Sequence, residues 1–151
     1  MSSGDPGGAK DLIYEGWLAH CNYAANFQVF GNPAKNSLTG QSLYPASISD
    51  GTSNTIFYTQ RYQVCGGDPC GWGYDGGTAW VPAFNYLSQG KFQARPGAGN
   101  CDSSLAQGLD AGGIMVSLGD GSSRFVSADV SYTTWWAACT PADNDILGPD
   151  W

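Results

Sequence analysis

Charge is what this chain has least of. Only 13% of its 151 residues are charged, about half the usual share. Six basic residues are spread thinly, and no Lys/Arg cluster exists. The electrostatic footprint of a nucleic-acid binder is therefore missing. The net charge of −7 also disfavours anionic membrane surfaces. No stretch approaches the roughly 20 apolar residues of a membrane span. Residues 1–8 are polar and rich in Gly and Ser, unlike a signal peptide. Any export signal is expected to lie outside this stretch or to have been removed from it.

Catalytic groups are equally scarce. His20 is the single histidine and Glu15 the single glutamate. A Ser/His/Asp or Cys/His site needs a base beside its nucleophile. His20 abuts Cys21, and neighbours on a strand point to opposite faces, which places the pair poorly. Glycoside hydrolysis needs two carboxyl groups about 5–10 Å apart. The aspartates here sit mostly in Asp-Gly turns. These absences point away from an enzyme, and no catalytic residue is assigned.

What the chain does have is glycine, proline and aromatic residues. Twenty-two glycines and eight prolines weaken helix interiors and suit a turn-rich, mainly β (α+β) fold. With 42% hydrophobic and 13% aromatic residues, a chain of this length can bury a core as one domain. We expect a flexible segment over 1–10 and a single globular domain over 11–151.

The stretch 111–126 is the clearest element. Ile114–Leu118 is a short apolar run, Gly119-Asp120-Gly121-Ser122 is turn chemistry, and Arg124–Val126 restarts a strand. Asp-Gly between two such runs is the strongest short-range hairpin signal. Thr55–Val64 is dense in β-branched and aromatic residues and predicts a strand. It follows a second turn at Asp50–Asn54. The alternation through Asn22–Phe30 predicts a strand stopped by Gly31-Asn32-Pro33. Short strands are expected at Thr78–Val81 and Lys91–Ala94, and a helical turn at Phe84–Leu87. The segment 11–21 reads as irregular or as a short turn of helix. Ser131 is a plausible N-cap for a helix over Tyr132–Cys139, ended by Pro141. Trp151 is expected to dock on the body.

Five cysteines lack the paired short spacings of a zinc site. Disulfides are the better reading and imply an oxidising, extracytoplasmic compartment. The preferred pairing is Cys65–Cys70 with Cys101–Cys139, leaving Cys21 over; five cysteines permit others. A long Gly-rich loop over 65–77 contains Asp68, Trp72, Tyr74 and Asp75. Trp72 and Tyr74 are the expected exposed pair for a glycan.

Three sets of residues carry a family resemblance. They are Asp50-Gly51-Thr52-Ser53-Asn54-Thr55, the stretch from Gly112-Gly113 through Asp120-Gly121-Ser122 to Val126, and Thr134-Trp135-Trp136-Ala137-Ala138 with Thr140-Pro141 and Leu147-Gly148. Tyr23-Ala24-Ala25-Asn26 fits as well. From about residue 20 onward the chain resembles the paralogous, planctomycete-type prepilin-like family, whose C-terminal signature is His, nine residues, then Asp-Gly. Asp110 stands here at the histidine position. The leader and hydrophobic N-terminal helix usual in that family are missing from this stretch.

The resemblance implies the antiparallel sheet of a pilin or pseudopilin head. It also implies a structural subunit of a surface filament or secretion-related assembly, with self-association or other pilin-like subunits as partners. Membrane attachment would run only through the missing helix. If the signature brings residues 110 and 120 together, Asp110 and Asp120 join two carboxylates, which repel unless a cation intervenes. Calcium is the expected ion. The alternative reading is a calcium-stabilised carbohydrate-binding or adhesion module.

Overall fold

The computed structural model describes residues 13–14, 18–40, 42–72, 80–86 and 89–151. In chain order the elements are β1 (Ile13–Tyr14), β2 (Leu18–Ala19), β3 (Tyr23–Asn26), α1 (Phe27–Phe30), β4 (Ile56–Gln60), β5 (Val64–Cys65), β6 (Asp68–Pro69), β7 (Ala83–Phe84), β8 (Gln93–Ala94), β9 (Gln107–Gly108), β10 (Gly113–Leu118), β11 (Ser123–Ser127) and α2 (Tyr132–Cys139). The central sheet has the order β11-β10-β4-β3-β7. Its first three pairings are antiparallel and the last, β3 with β7, is parallel. The protein is thus a small β-rich α+β fold. No helix among the described residues is long and apolar enough to cross a membrane.

The hairpin forms where its sequence predicts. β10 pairs with β11 from Gly113↔Ser127 to Ser117↔Ser123. Gly121 takes a left-handed φ of +85° in the turn, a conformation that glycine adopts without steric cost. Ile114, Val116 and Leu118 alternate into the core, as a half-buried strand requires.

α2 covers that face. Ser131 caps it, its hydroxyl accepting from the Thr134 amide at 3.2 Å. A helix of two turns needs packing to persist. Trp135, at zero exposure, supplies it. Its ring lies 4.8 Å from that of Phe92 and 6.2 Å from that of Phe84, and its Nε1 donates to the Gly90 carbonyl. The tail then folds back. Trp151 packs on the same cluster, with the Arg124 guanidinium 4.8 Å over its ring. Gly148 permits this return, because a Cβ there would sit 2.2 Å from Thr134 Oγ1.

The turn at 50–55 joins distant segments. Its Asp50 carboxylate accepts from the amides of Asp143 and Asn144 at 3.0 Å each. The amides of Gly119 and Asp120 donate to Thr55 and Thr52 carbonyls. The hairpin turn and the segment after α2 therefore dock on one loop.

Other expectations are corrected. The run Asn22–Phe30 is not one strand. Asn26 ends β3 because its side chain turns inward, capping α1 through the Gln28 amide. Its Nδ2 also donates to the carbonyls of Ile56 and Cys139, both at 2.7 Å. The predicted strand over 55–64 stops at Gln60, where Arg61 turns into the interior. Arg61 donates to the carbonyls of Val81, Ala83 and Ser103. These bonds hold the segment leading into β7. The strand near residue 80 consequently falls at Ala83–Phe84, where a helical turn was expected. Residues 78–79 and 87 of those two expectations lie outside the described residues, as do 1–10. The segment 11–21 forms the β1–β2 pair instead of a helical turn at its described positions.

The disulfide expectation is also corrected. Cys65 bonds Cys101, with Cα atoms 5.4 Å apart. Cys65 and Cys70 cannot pair, because the β5–β6 hairpin sends their side chains to different partners: Cys70 lies beside Cys21. Cys139 is sealed in the core at the end of α2.

Candidate functional site

The two faces of the central sheet differ. One carries Ala24, Ile56, Ile114, Val116 and Val126 beneath α2. The register sets two rows across the other: Tyr23, Gln60, Met115, Phe125, and Ala25, Tyr58, Ser117, Ser123. These rows stay largely open among the described residues, with Phe30 of α1 against Tyr58. Tyr23 is 64% exposed, Phe125 50%, Tyr58 45% and Met115 39%. Apolar surface costs about 25 cal/mol per Å² when left in water. Tyr58, Met115 and Phe125 lie near one another on this face, with Gln60 between Met115 and Tyr23.

A β-bulge extends this surface. The β10–β4 register slips at Ser117/Leu118, so that Leu118 lies opposite Ile56. Phe57 is then the extra residue on β4. It meets Phe30 edge-on at 5.2 Å and Tyr44 at 6.2 Å, while Phe30 also lies 5.2 Å from Tyr58. Beside these rings runs a groove of about 260 Å³ lined by Val29, Phe30, Tyr44, Ile48 and Phe57. A second groove, of about 230 Å³, lies between Tyr23, Tyr58 and Met115. Both linings mix aromatic with aliphatic and uncharged polar residues, Thr59, Gln60, Ser117 and Ser123 among them in the second. No charged residue lines either groove among the described residues.

Asp110 and Asp120 are not brought together. They flank β10 at opposite ends, and six residues of strand span about 20 Å. Each carboxylate completes its own turn. Asp110 accepts from the Gly112 amide at 2.7 Å. Asp120 accepts from the Ser122 amide and hydroxyl at 2.9 and 2.6 Å. The hydroxyl bond holds the exposed Asp120 carboxyl below its ordinary pKa. A shared calcium site at these two residues is therefore corrected: the strand between them separates the ligands. Among the described residues no group of three or more His, Cys, Asp or Glu converges as metal ligands.

Trp72 stands out at 71% exposure. Tyr74, its expected partner, lies outside the described residues, as do Glu15 and Asp75. Asp68 is engaged internally, accepting from Trp80 Nε1 at 3.2 Å and Ser103 Oγ at 2.6 Å. His20 is buried, and that burial lowers its pKa.

The exposed sheet face was not singled out from sequence. A signal was there: Ile114-Met115-Val116 is continuous rather than alternating, and Phe125-Val126 repeats this on β11. Continuous apolar runs mark strands with two apolar faces. Compared with known proteins, the chain matches no family model, no curated protein and no solved structure.

Proposed function

We propose that this chain is a non-enzymatic, extracytoplasmic structural subunit of pilin or pseudopilin type, part of a surface filament or secretion-related assembly. One observation carries the reading. Among the described residues α2 covers one face of the central sheet, and the other face presents Tyr23, Tyr58, Met115 and Phe125 to solvent. A subunit that packs laterally needs such a face, and a monomeric protein seldom retains one. The Cys65–Cys101 bond fits an oxidising compartment.

Immunogold electron microscopy of producing cells, with cross-linking of the intact assembly, tests this. Labelled filaments or cross-links through the Tyr58–Phe125 face are expected. A protein that stays dispersed and uncross-linked in its own cells would rule the reading out.

The glycan-binding alternative rests on Trp72, the most exposed tryptophan among the described residues. An exposed indole can stack on a sugar face. Affinity-gel retardation against polysaccharides checks it: retention lost in Trp72→Ala supports binding, and free migration of the unchanged protein rejects it.

A further inference from the structure

Cys21 and Cys70 lie side by side. Their Sγ atoms are 3.4 Å apart, although 49 residues separate them in sequence. The backbone fixes this approach. The Cys21 amide donates to the Cys70 carbonyl at 2.9 Å, and the Trp72 amide donates to Ala19 at 2.6 Å. His20 and Gly71 form an antiparallel bridge between the same segments. A disulfide needs facing Cβ atoms on neighbouring chains and an S–S distance near 2.05 Å. A small side-chain rotation supplies the difference.

The two thiols are unequal. Cys21 is half-buried and Cys70 fully buried. The hydrogen bond with Cys70 pulls the Cys21 thiol down to about 7, against its burial and with help from the Arg61 charge. The same bond, with burial, pushes Cys70 up. An accessible thiolate beside a buried resolving thiol is the arrangement that exchanges disulfides.

We propose that Cys21 and Cys70 form a thiol–disulfide exchange site, closing to a second disulfide on meeting a disulfide oxidant and reopening with a thiol reductant while Cys65–Cys101 stays closed. The Cys21 thiolate attacks one sulfur of the oxidant, forms a mixed disulfide and expels the other sulfur as a thiolate. Cys70, losing its proton, attacks Cys21 sulfur, forms Cys21–Cys70 and expels the second thiol. Two cysteine thiols are oxidised and one external disulfide is reduced to two thiols. The β5–β6 hairpin is then held at both strands, by Cys65 to Cys101 and by Cys70 to Cys21.

The test equilibrates the folded chain with graded ratios of oxidised to reduced glutathione. Free thiols are then blocked with N-ethylmaleimide and the unreduced peptides mapped by mass. A Cys21–Cys70 peptide that rises with the oxidised fraction is expected, at ratios where the Cys65–Cys101 peptide is constant. Cys21 and Cys70 blocked at every ratio would overturn the proposal, as would both bonds opening together. In Cys70→Ala, glutathione should remain on Cys21; an unmodified Cys21 there counts against the site. Should that buried change prevent folding, Cys21→Ala serves. It must abolish the linked peptide and leave Cys70 free of glutathione, and an adduct on Cys70 would refute the assigned order of attack.

Discussion

The two faces of one sheet have opposite fates. Beneath α2, Ile114, Val116, Val126 and Trp135 are removed from water. On the reverse, Met115 and Phe125 alternate with the strand residues of that set, Tyr58 lies on the neighbouring β4, and all three remain exposed. Strand pairing is common to both, so backbone hydrogen bonding cannot distinguish them. Covering does. The first face has a local partner only eight residues long. The second has no helix of that length over it among the described residues, and only Phe30 of α1 lies against its Tyr58.

The largest expected effect comes from breaking the covered face. Trp135→Ala should cost about 3–5 kcal/mol, a large share of a typical domain's stability; denaturant unfolding measures it. Asn26→Ala comes next. It strands the carbonyls of Ile56 and Cys139 and the Gln28 amide, with a loss of about 2–3 kcal/mol by the same measurement. A smaller effect on stability is expected from Phe125→Ser on the bare face, within about 0.5 kcal/mol, together with a loss of self-association in sedimentation experiments. A loss as large as that of Trp135→Ala would erase the distinction between the faces.

The smallest effect is conditional on pH. Asp150 accepts from the Thr134 hydroxyl and the Ser131 amide at 2.7 Å, and these bonds hold its carboxyl down at about 2 against an ordinary 3.8. A depressed carboxyl stabilises the fold above its unfolded pKa. That contribution is complete above about pH 4 and is lost as pH falls towards 2. Asp150→Asn should remove this slope from an acid titration of thermal midpoint, and should leave the covered face otherwise intact. Retention of the full slope would assign it to other carboxylates.

The parts legible in sequence are those whose determinants are neighbours. The hairpin needs only an apolar run and Asp-Gly; α2 needs only Ser131, an aromatic stretch and Pro141. Docking of Trp151 also follows from an apolar end beside such a helix. The lost parts are decided at long range. Asn26 ends its strand because of carbonyls 30 and 113 residues away. Arg61 places β7 through bonds 20 and 22 residues on. β7 itself has two residues, too few for any periodicity. Cys65 prefers a partner 36 residues distant to the one five residues on, because its hairpin turns the nearer sulfur towards Cys21. The separation of Asp110 from Asp120, by contrast, was already implied by the strand predicted between them. Of the candidate site, exposed Trp72 was anticipated, whereas the aromatic face depends on a register and a bulge that no single segment encodes.

The turn at Asp50 imposes an order of events. Its carboxylate is bonded only when residues 143 and 144 arrive, 93 and 94 positions later. A chain that emerges N-terminus first can form β3 and β4 early but must wait for the hairpin, α2 and the returning tail before that loop is secured. Such non-local closure slows folding, and during the delay the inner face of the sheet lacks the cover of Trp135. The last fifth of the polypeptide thus completes a cover that Phe84, Phe92 and Ala106 begin, by adding Val130, Trp135, Ala138 and Cys139.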